Sequence, residues 1–195
     1  MTTHAQTGGP AATAQTGGPA ATALTPAALV ATRFVLRPPR PSDAGLIALH
    51  TADLRVARNT RSIPHPLPPG ATEAFIARVN RPEGERAWVL DARAHGSAEV
   101  LGVIGLKPMD RGQWEVGYWI APAFWNAGLA SAAVRDLIAE NPVGARTIFA
   151  EVFQDNPASA RVLTNAGFEY LGDAETFSVA RGARVATWTY LRRMA

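Results

Sequence analysis

Three stretches of this chain combine residue types that could do chemistry. The first is Ile120–Ser131, IAPAFWNAGLAS, where a strand gives way to a helix through small residues. The first N–H groups of a helix have no intrahelical partner, and the aligned peptide dipoles make that end positive. Ala127, Gly128 and Ala130 would let phosphate oxygens reach the backbone, and Ser131 could add a hydroxyl donor. A single glycine ahead of a helix also occurs with no ligand to serve. The stretch contains neither a G-x-G-x-x-G dinucleotide fingerprint nor the GK[ST] of a P-loop.

The second is Glu115, inside the strand-like run QWEVGYWIA. Alternation puts Trp114, Val116, Tyr118 and Ile120 on one face and Glu115, Gly117 and Trp119 on the other. A carboxylate among apolar neighbours is a candidate general base, because partial desolvation improves a carboxylate as a proton acceptor. The alternative is an exposed or salt-bridged strand glutamate. The third is DNPAS, Asp155–Ser159. Asn156 and Ser159 are three apart on a helix and share a face. Asp155 or Asn156 at the N-cap and Pro157 at the first helical position would also satisfy that helix end.

The remaining candidates are weaker. His65 sits in the Pro-rich loop Ile63–Gly70, where a histidine is usually only solvated. His4, His50 and His95 have no metal-ligand spacing, so no metal site is expected. The chain has no cysteine, which excludes thiolate nucleophiles, disulfides and Cys-ligated metals. No nucleophile elbow with a Ser-His-Asp set is present, so any group transfer is expected to be direct. Glu175, near the last strands, is a further carboxylate that ranks behind Glu115, and the five tryptophans read as core and groove lining.

Several elements must position these residues. Arg33–Arg37 reads as a strand stopped by prolines, and Ser42 as the cap of a helix through Leu46, Ile47, Leu49 and Leu54. A helix over 71–79, strands over 86–94, 99–109 and 113–121, and a helix over 127–140 follow. A strand over 146–153, a helix over 157–165 and two strands, 177–180 and 184–191, complete a β-α-α-β-β-β-α-β-α-β-β order. That order implies a mixed α/β sheet with at least one strand–helix–strand crossover.

Composition bounds the rest. With 195 residues, 47% hydrophobic and 18% charged, the chain suits one globular domain. The pI is about 9.9, yet the formal net charge is only +3 and the cations are scattered. Without a basic cluster, nucleic acid is not an expected partner, while steering of an anionic small molecule is. No apolar run is long enough to span a bilayer and no signal sequence is evident, so no membrane partner and a cytoplasmic location are expected. Residues 5–13 read AQTGGPAAT and residues 14–22 repeat them. Such a segment buries too little apolar area to offset its chain entropy, so residues 1–31 are read as a disordered tail and 32–195 as the folded domain.

The run EVGYWIAPAFWNAGLASAAV (Glu115–Val134) resembles the acetyl-CoA motif of GNAT acetyltransferases, in particular the branch that acetylates ribosomal-protein N-termini (RimJ/RimL type). DNPASARVLTNAGF (Asp155–Phe168) resembles the second signature of that branch. The resemblance covers the chain from about Thr32 to its end. It implies a GNAT fold, a mostly antiparallel seven-stranded sheet with a V-shaped split, flanked by about four helices. It implies acetyl-CoA as co-substrate and a primary amine as acceptor, either a protein N-terminal α-amine or a small molecule. Glu115 would be the base, and Ser159 would return a proton to the departing thiolate. Backbone groups of Trp119, Ile120 and Ala121 and the side chain of Asn156 would meet pantetheine. Asn126, Ala127, Gly128, Leu129, Ala130 and Ser131 would cradle the diphosphate. Asn126 stands where the family usually has a glycine, and asparagine tolerates positive φ better than most residues. Ala132 stands where many relatives have glutamate. Monomer and homodimer both fit the resemblance. So do a same-fold enzyme that detoxifies an amine-bearing antibiotic and a degenerate domain that binds acyl-CoA or a partner without catalysis.

Overall fold

A computed structural model describes residues 34–194. The tail expected over residues 1–31, with its repeat, lies outside them. Within the described residues seven strands form one sheet: β1 Val35–Arg37, β2 Arg86–Asp91, β3 Gly102–Pro108, β4 Gln113–Ile120, β5 Thr147–Phe153, β6 Glu169–Ser178 and β7 Ala183–Arg193. Their spatial order is β1-β2-β3-β4-β5-β7-β6. Every pairing is antiparallel except β4 with β5, joined through a crossover helix as parallel neighbours require. Among the described residues five α-helices accompany the sheet: α1 Ala44–Thr51, α2 Leu54–Ala57, α3 Ala71–Val79, α4 Leu129–Glu140 and α5 Pro157–Asn165.

The single helix expected through Leu46 to Leu54 is two, because Asp53 stops the first and caps the second by accepting from the Arg55 N–H. Ser42 does not cap α1 either. The chain enters α1 through a 3-10 turn at Pro41–Asp43, where the buried Asp43 carboxylate accepts from the Arg40 N–H and from Arg37. Arg37 also donates to Asp91 at 2.6 Å, so one guanidinium staples β1, this turn and β2 together. The Asp91 carboxyl is held well below the usual carboxylate range by Arg93 and Arg37 against its own desolvation.

Two apolar layers sandwich the sheet. One packs Ile47 of α1 with Ile76 and Val79 of α3 against Ala87, Val89 and Val103. The larger packs α4 (Leu129, Ala133, Val134, Leu137) and α5 (Ala160, Leu163) against Ile104, Leu106, Val116 and Ile148. The predicted alternation of β4 therefore holds. Val116, Tyr118 and Ile120 face α4 and α5, and Trp119 faces α1 and α3.

The pairing that matters most for the site is the one that stops early. β4 and β5 pair only at Gln113 with Thr147, Trp114 with Ile148 and Glu115 with Phe149. Beyond Glu115 the strands part, so the sheet carries the V-shaped split that the resemblance implied.

Candidate active site

Strand register decides which backbone groups of β4 look into the split. The Gln113 carbonyl accepts from Met109 and the Ala121 N–H donates to the Leu101 carbonyl, both on the β3 side. Peptide groups of alternate residues point to opposite edges of a strand. Trp119, like Ala121, is therefore turned toward β3, and the groups facing the split belong to Tyr118 and Ile120. This corrects the expectation that backbone groups of all three of Trp119, Ile120 and Ala121 serve a ligand. The Ile120 carbonyl is also engaged, accepting from the Trp125 indole N–H at 2.7 Å.

The turn after β4 has an open cradle. Asn126 adopts φ 61° and Gly128 φ 73°, so the asparagine at the usual glycine position does hold the left-handed conformation. No side chain caps α4, and its first helical bond runs from Ala132 N–H to the Gly128 carbonyl. The N–H groups of Leu129, Ala130 and Ser131 thus have no intrahelical partner. A Cβ built on Gly128 would meet nothing within 4 Å. The helix proper begins at Leu129 rather than Ala127, which leaves Ala127 in the turn. Backbone donors, an open cradle and the positive end of a twelve-residue helix fit a diphosphate.

Glu115 sits at the apex of the split, half-buried, with a partner that spacing did not predict. Arg61, from the loop after α2, donates to Glu115 Oε2 at 2.6 Å and to Glu151 Oε2 of β5 at 3.1 Å. One guanidinium thus bridges the two prongs of the split. The loop carrying it is tied down from far along the chain. Val179 N–H donates to the Arg61 carbonyl at 3.0 Å. Arg181, at the tip of the β6–β7 hairpin, donates to the Arg58 carbonyl and grips Asp155 through both terminal nitrogens. Its guanidinium also lies 4.6 Å from the Phe153 ring centroid.

On the other face, Asn156 caps α5 by accepting from the Ser159 N–H at 3.3 Å, as the capping pattern required. The Ser159 Oγ lies 2.8 Å from the Tyr118 hydroxyl, which is also 3.2 Å from the Ser159 carbonyl. Either hydroxyl can donate across the 2.8 Å contact, and when the tyrosine donates to the serine oxygen the serine proton is left free for another acceptor. Desolvation pushes the Tyr118 phenol up to about 12. Sequence reading placed Tyr118 on this face without giving it a role, although the same alternation points it at the helix that carries Ser159.

A cavity of about 820 Å³ joins the two faces through the split. Glu115, Gly117 and Trp119 line it from one side of β4, and Val116 and Tyr118 from the other, together with Arg61, Glu151, Asn156 and Ser159. Lys107 and Phe75 also border it. The residues of the 126–131 turn do not line it. Neither do His65 and Glu175. Glu175 stands exposed on β6 beside Arg184. Among the described residues no cluster of His, Asp or Glu could hold a metal, and no helix is long and apolar enough to cross a membrane.

The acetyltransferase (GNAT) domain family matches residues 33–169, most of the chain. The chain belongs to the GNAT acetyltransferase family. It is similar to YoaA, an uncharacterised N-acetyltransferase of Bacillus subtilis, with 30% identity over 122 residues, 60% of this chain and 67% of that protein. Among solved structures, the microcin C7 self-immunity acetyltransferase MccE, in complex with acetyl-CoA and AMP, superposes with a TM-score of 0.72 at 16% identity. It covers 85% of this chain and 94% of its own. Spermidine N-acetyltransferase from Vibrio cholerae, with CoA and spermine, gives 0.70 at 15% identity over 83% and 96%. The ribosomal L7/L12 α-N-protein acetyltransferase RimL, with coenzyme A, gives 0.70 at 15% over 85% and 96%. The fold is that of these proteins, and family membership makes this chain an acyltransferase with acetyl-CoA as donor.

Proposed function

We propose that the chain transfers an acetyl group directly from acetyl-CoA to a primary amine that reaches the split from the Glu115 side. The observation that carries this reading is the single cavity passing through the sheet at the fork of β4 and β5. It lets a donor held on the α4–α5 side meet an acceptor held on the α1–α3 side.

Acetyl-CoA, when bound, supplies the acetyl carbonyl as a thioester. The backbone of residues 126–131 is suited to hold its diphosphate, with the N–H groups of Leu129, Ala130 and Ser131 as donors. The Tyr118 and Ile120 N–H groups, aimed into the split, are suited to the pantetheine arm and to charge developing on a carbonyl oxygen. Asn156, whose Oδ1 is engaged as a cap, has its amide nitrogen left to offer.

An amine is protonated at neutral pH and must lose that proton to attack. Glu115 takes it, with Arg61 fixing the carboxylate against Glu151. A C–N bond forms as the C–S bond breaks; the Ser159 hydroxyl, chained to Tyr118, gives its proton to the sulfur, and the second proton shed by the nitrogen restores it through solvent. The acceptor is a small amine or the α-amine of a protein N-terminus; both fit a cavity open to solvent.

Thermal unfolding with acetyl-CoA at 100 times its dissociation constant should show about 2.7 kcal/mol of added stability. Thiol release with a panel of amines then reports transfer. Glu115→Gln should keep the thermal shift and lose the turnover. A variant that keeps its turnover removes Glu115 from the mechanism, and the absence of any shift removes the cofactor assignment.

A further inference from the structure

Most glycines of the fold explain themselves. Those at 70, 96, 112, 128, 144, 167 and 182 have positive φ in turns and helix ends. A Cβ on Gly102 would collide with the Trp119 carbonyl, and one on Gly105 would come within 3.0 Å of the Arg86 carbonyl. Gly117 has neither excuse. Its φ lies outside the left-handed region and a Cβ there would meet nothing within 4 Å. It sits mid-strand, where glycine weakens β structure. What its bare Cα leaves is space, and that space is the cavity, which Gly117 lines.

The position is defined by register. Gly117 pairs directly with Gly105, so the two make a flat, side-chain-free patch on the α1–α3 face of the sheet. At one end stand the cross-strand pair Lys107 and Glu115, at the other Val103 and Trp119. Phe75 of α3 borders the same cavity. The floor therefore carries the charged pair Lys107 and Glu115 at one end and the apolar pair Val103 and Trp119 at the other, while α3 adds Phe75 with the Arg78 guanidinium 5.5 Å from its ring centroid.

Resting on the acetyl-transfer reading above, the structure assigns Gly117 as the position that sets acceptor specificity. The floor it forms receives the side group of the acceptor. That acceptor is a primary amine whose amine-bearing carbon carries an apolar substituent as large as an aromatic ring. The amine lies toward Glu115 and the substituent extends over the glycines toward Phe75 and Trp119.

Glycinamide and phenylalaninamide share an α-amine and differ in that substituent, which makes them suitable probes. Kinetics with acetyl-CoA should give the wild type a higher kcat/KM for phenylalaninamide. Gly117→Ala and Gly117→Val should cut it for phenylalaninamide by roughly 10- to 200-fold, the scale of a small steric mismatch in an apolar pocket. The same variants should leave glycinamide nearly unchanged, along with the rise in melting temperature that acetyl-CoA brings. Equal loss on both amines, or no loss on either, overturns the assignment. So does a wild type that turns over glycinamide at least as well, or that binds acetyl-CoA, acetylates other amines and rejects both probes. A wild type with no acetyl-CoA shift and no turnover of any amine instead sinks the underlying acetyl-transfer reading.

Discussion

The two halves of the site are built in opposite ways. The turn at 126–131 is local: its shape rests on two left-handed residues, Asn126 and Gly128, and on a helix end, all within six positions. The side proposed to take the acceptor is assembled over long distances. Arg61 bridges Glu115 and Glu151, 54 and 90 residues away, and Arg181 reaches back 123 residues to the Arg58 carbonyl. A cradle for a phosphate needs only backbone donors, which any suitable turn provides. A site that must select and deprotonate an amine needs charged side chains at fixed separations, and those come from several elements. Family likeness in the local half therefore says little about the acceptor.

This contrast can be broken at either end. The largest effect is expected on the assembled side. Glu115→Gln should lower kcat by about 10²- to 10⁴-fold, the usual worth of a general base. Acetyl-CoA binding, read by thermal shift, should survive. Next comes the local side. Gly128→Val forces a β-branched residue to a φ of 73° and fills the cradle. We expect about 1–2 kcal/mol of lost stability and roughly 10- to 100-fold weaker acetyl-CoA binding by calorimetry, the scale of one or two charge-assisted hydrogen bonds. Equal losses of amine affinity and acetyl-CoA affinity in either variant would show that the halves are not separable.

Smaller effects sharpen the comparison. Arg181→Ala removes a half-exposed clasp, so its stability cost should be about 1 kcal/mol after solvent screening. Acceptor KM should rise roughly three- to tenfold, an energy of about 1 kcal/mol, with acetyl-CoA affinity unmoved. Tyr118→Phe tests the junction between the halves. The Tyr118 phenol is raised in the folded state to about 12, so its contribution to stability is fully present below about pH 10 and fades as pH climbs toward 12. Chemical denaturation between pH 9 and 11.5 should show that alkaline loss in the wild type and less of it in Tyr118→Phe. The activity profile below pH 9 should keep its shape in the variant, because the phenol remains neutral throughout.

The local half was largely legible in the sequence. Asparagine at 126 and glycine at 128 are residues that accept positive φ, and Asn156-Pro157 marks a helix start whatever surrounds it. The assembled half was not. Arg61 lies in a loop with no period, so nothing in spacing links it to Glu115. Tyr118 was placed on the correct face, but its partner Ser159 is 41 residues away on another element. β6 was legible only from Phe177, because Glu169–Thr176 is an edge strand with mostly exposed residues and lacks the alternation that half-burial imposes. The helix break at Asp53 was hidden for a related reason: the apolar stripe runs on to Leu54, and only the capping bond to Arg55 shows the stop.

The Arg181 clasp also sets an order of events as the chain is made. Contacts close in sequence form early, and those spanning long stretches must wait for their second partner. The residues of the 126–131 turn and of α4 are contiguous in the chain, so their contacts with one another wait for no distant partner. The loop holding Arg61 emerges far sooner but stays unroofed until the β6–β7 hairpin follows it. The proposed acceptor side is thus the last part of the enzyme to close, since Arg181 and β7, which fills the sheet between β5 and β6, are made after every other element.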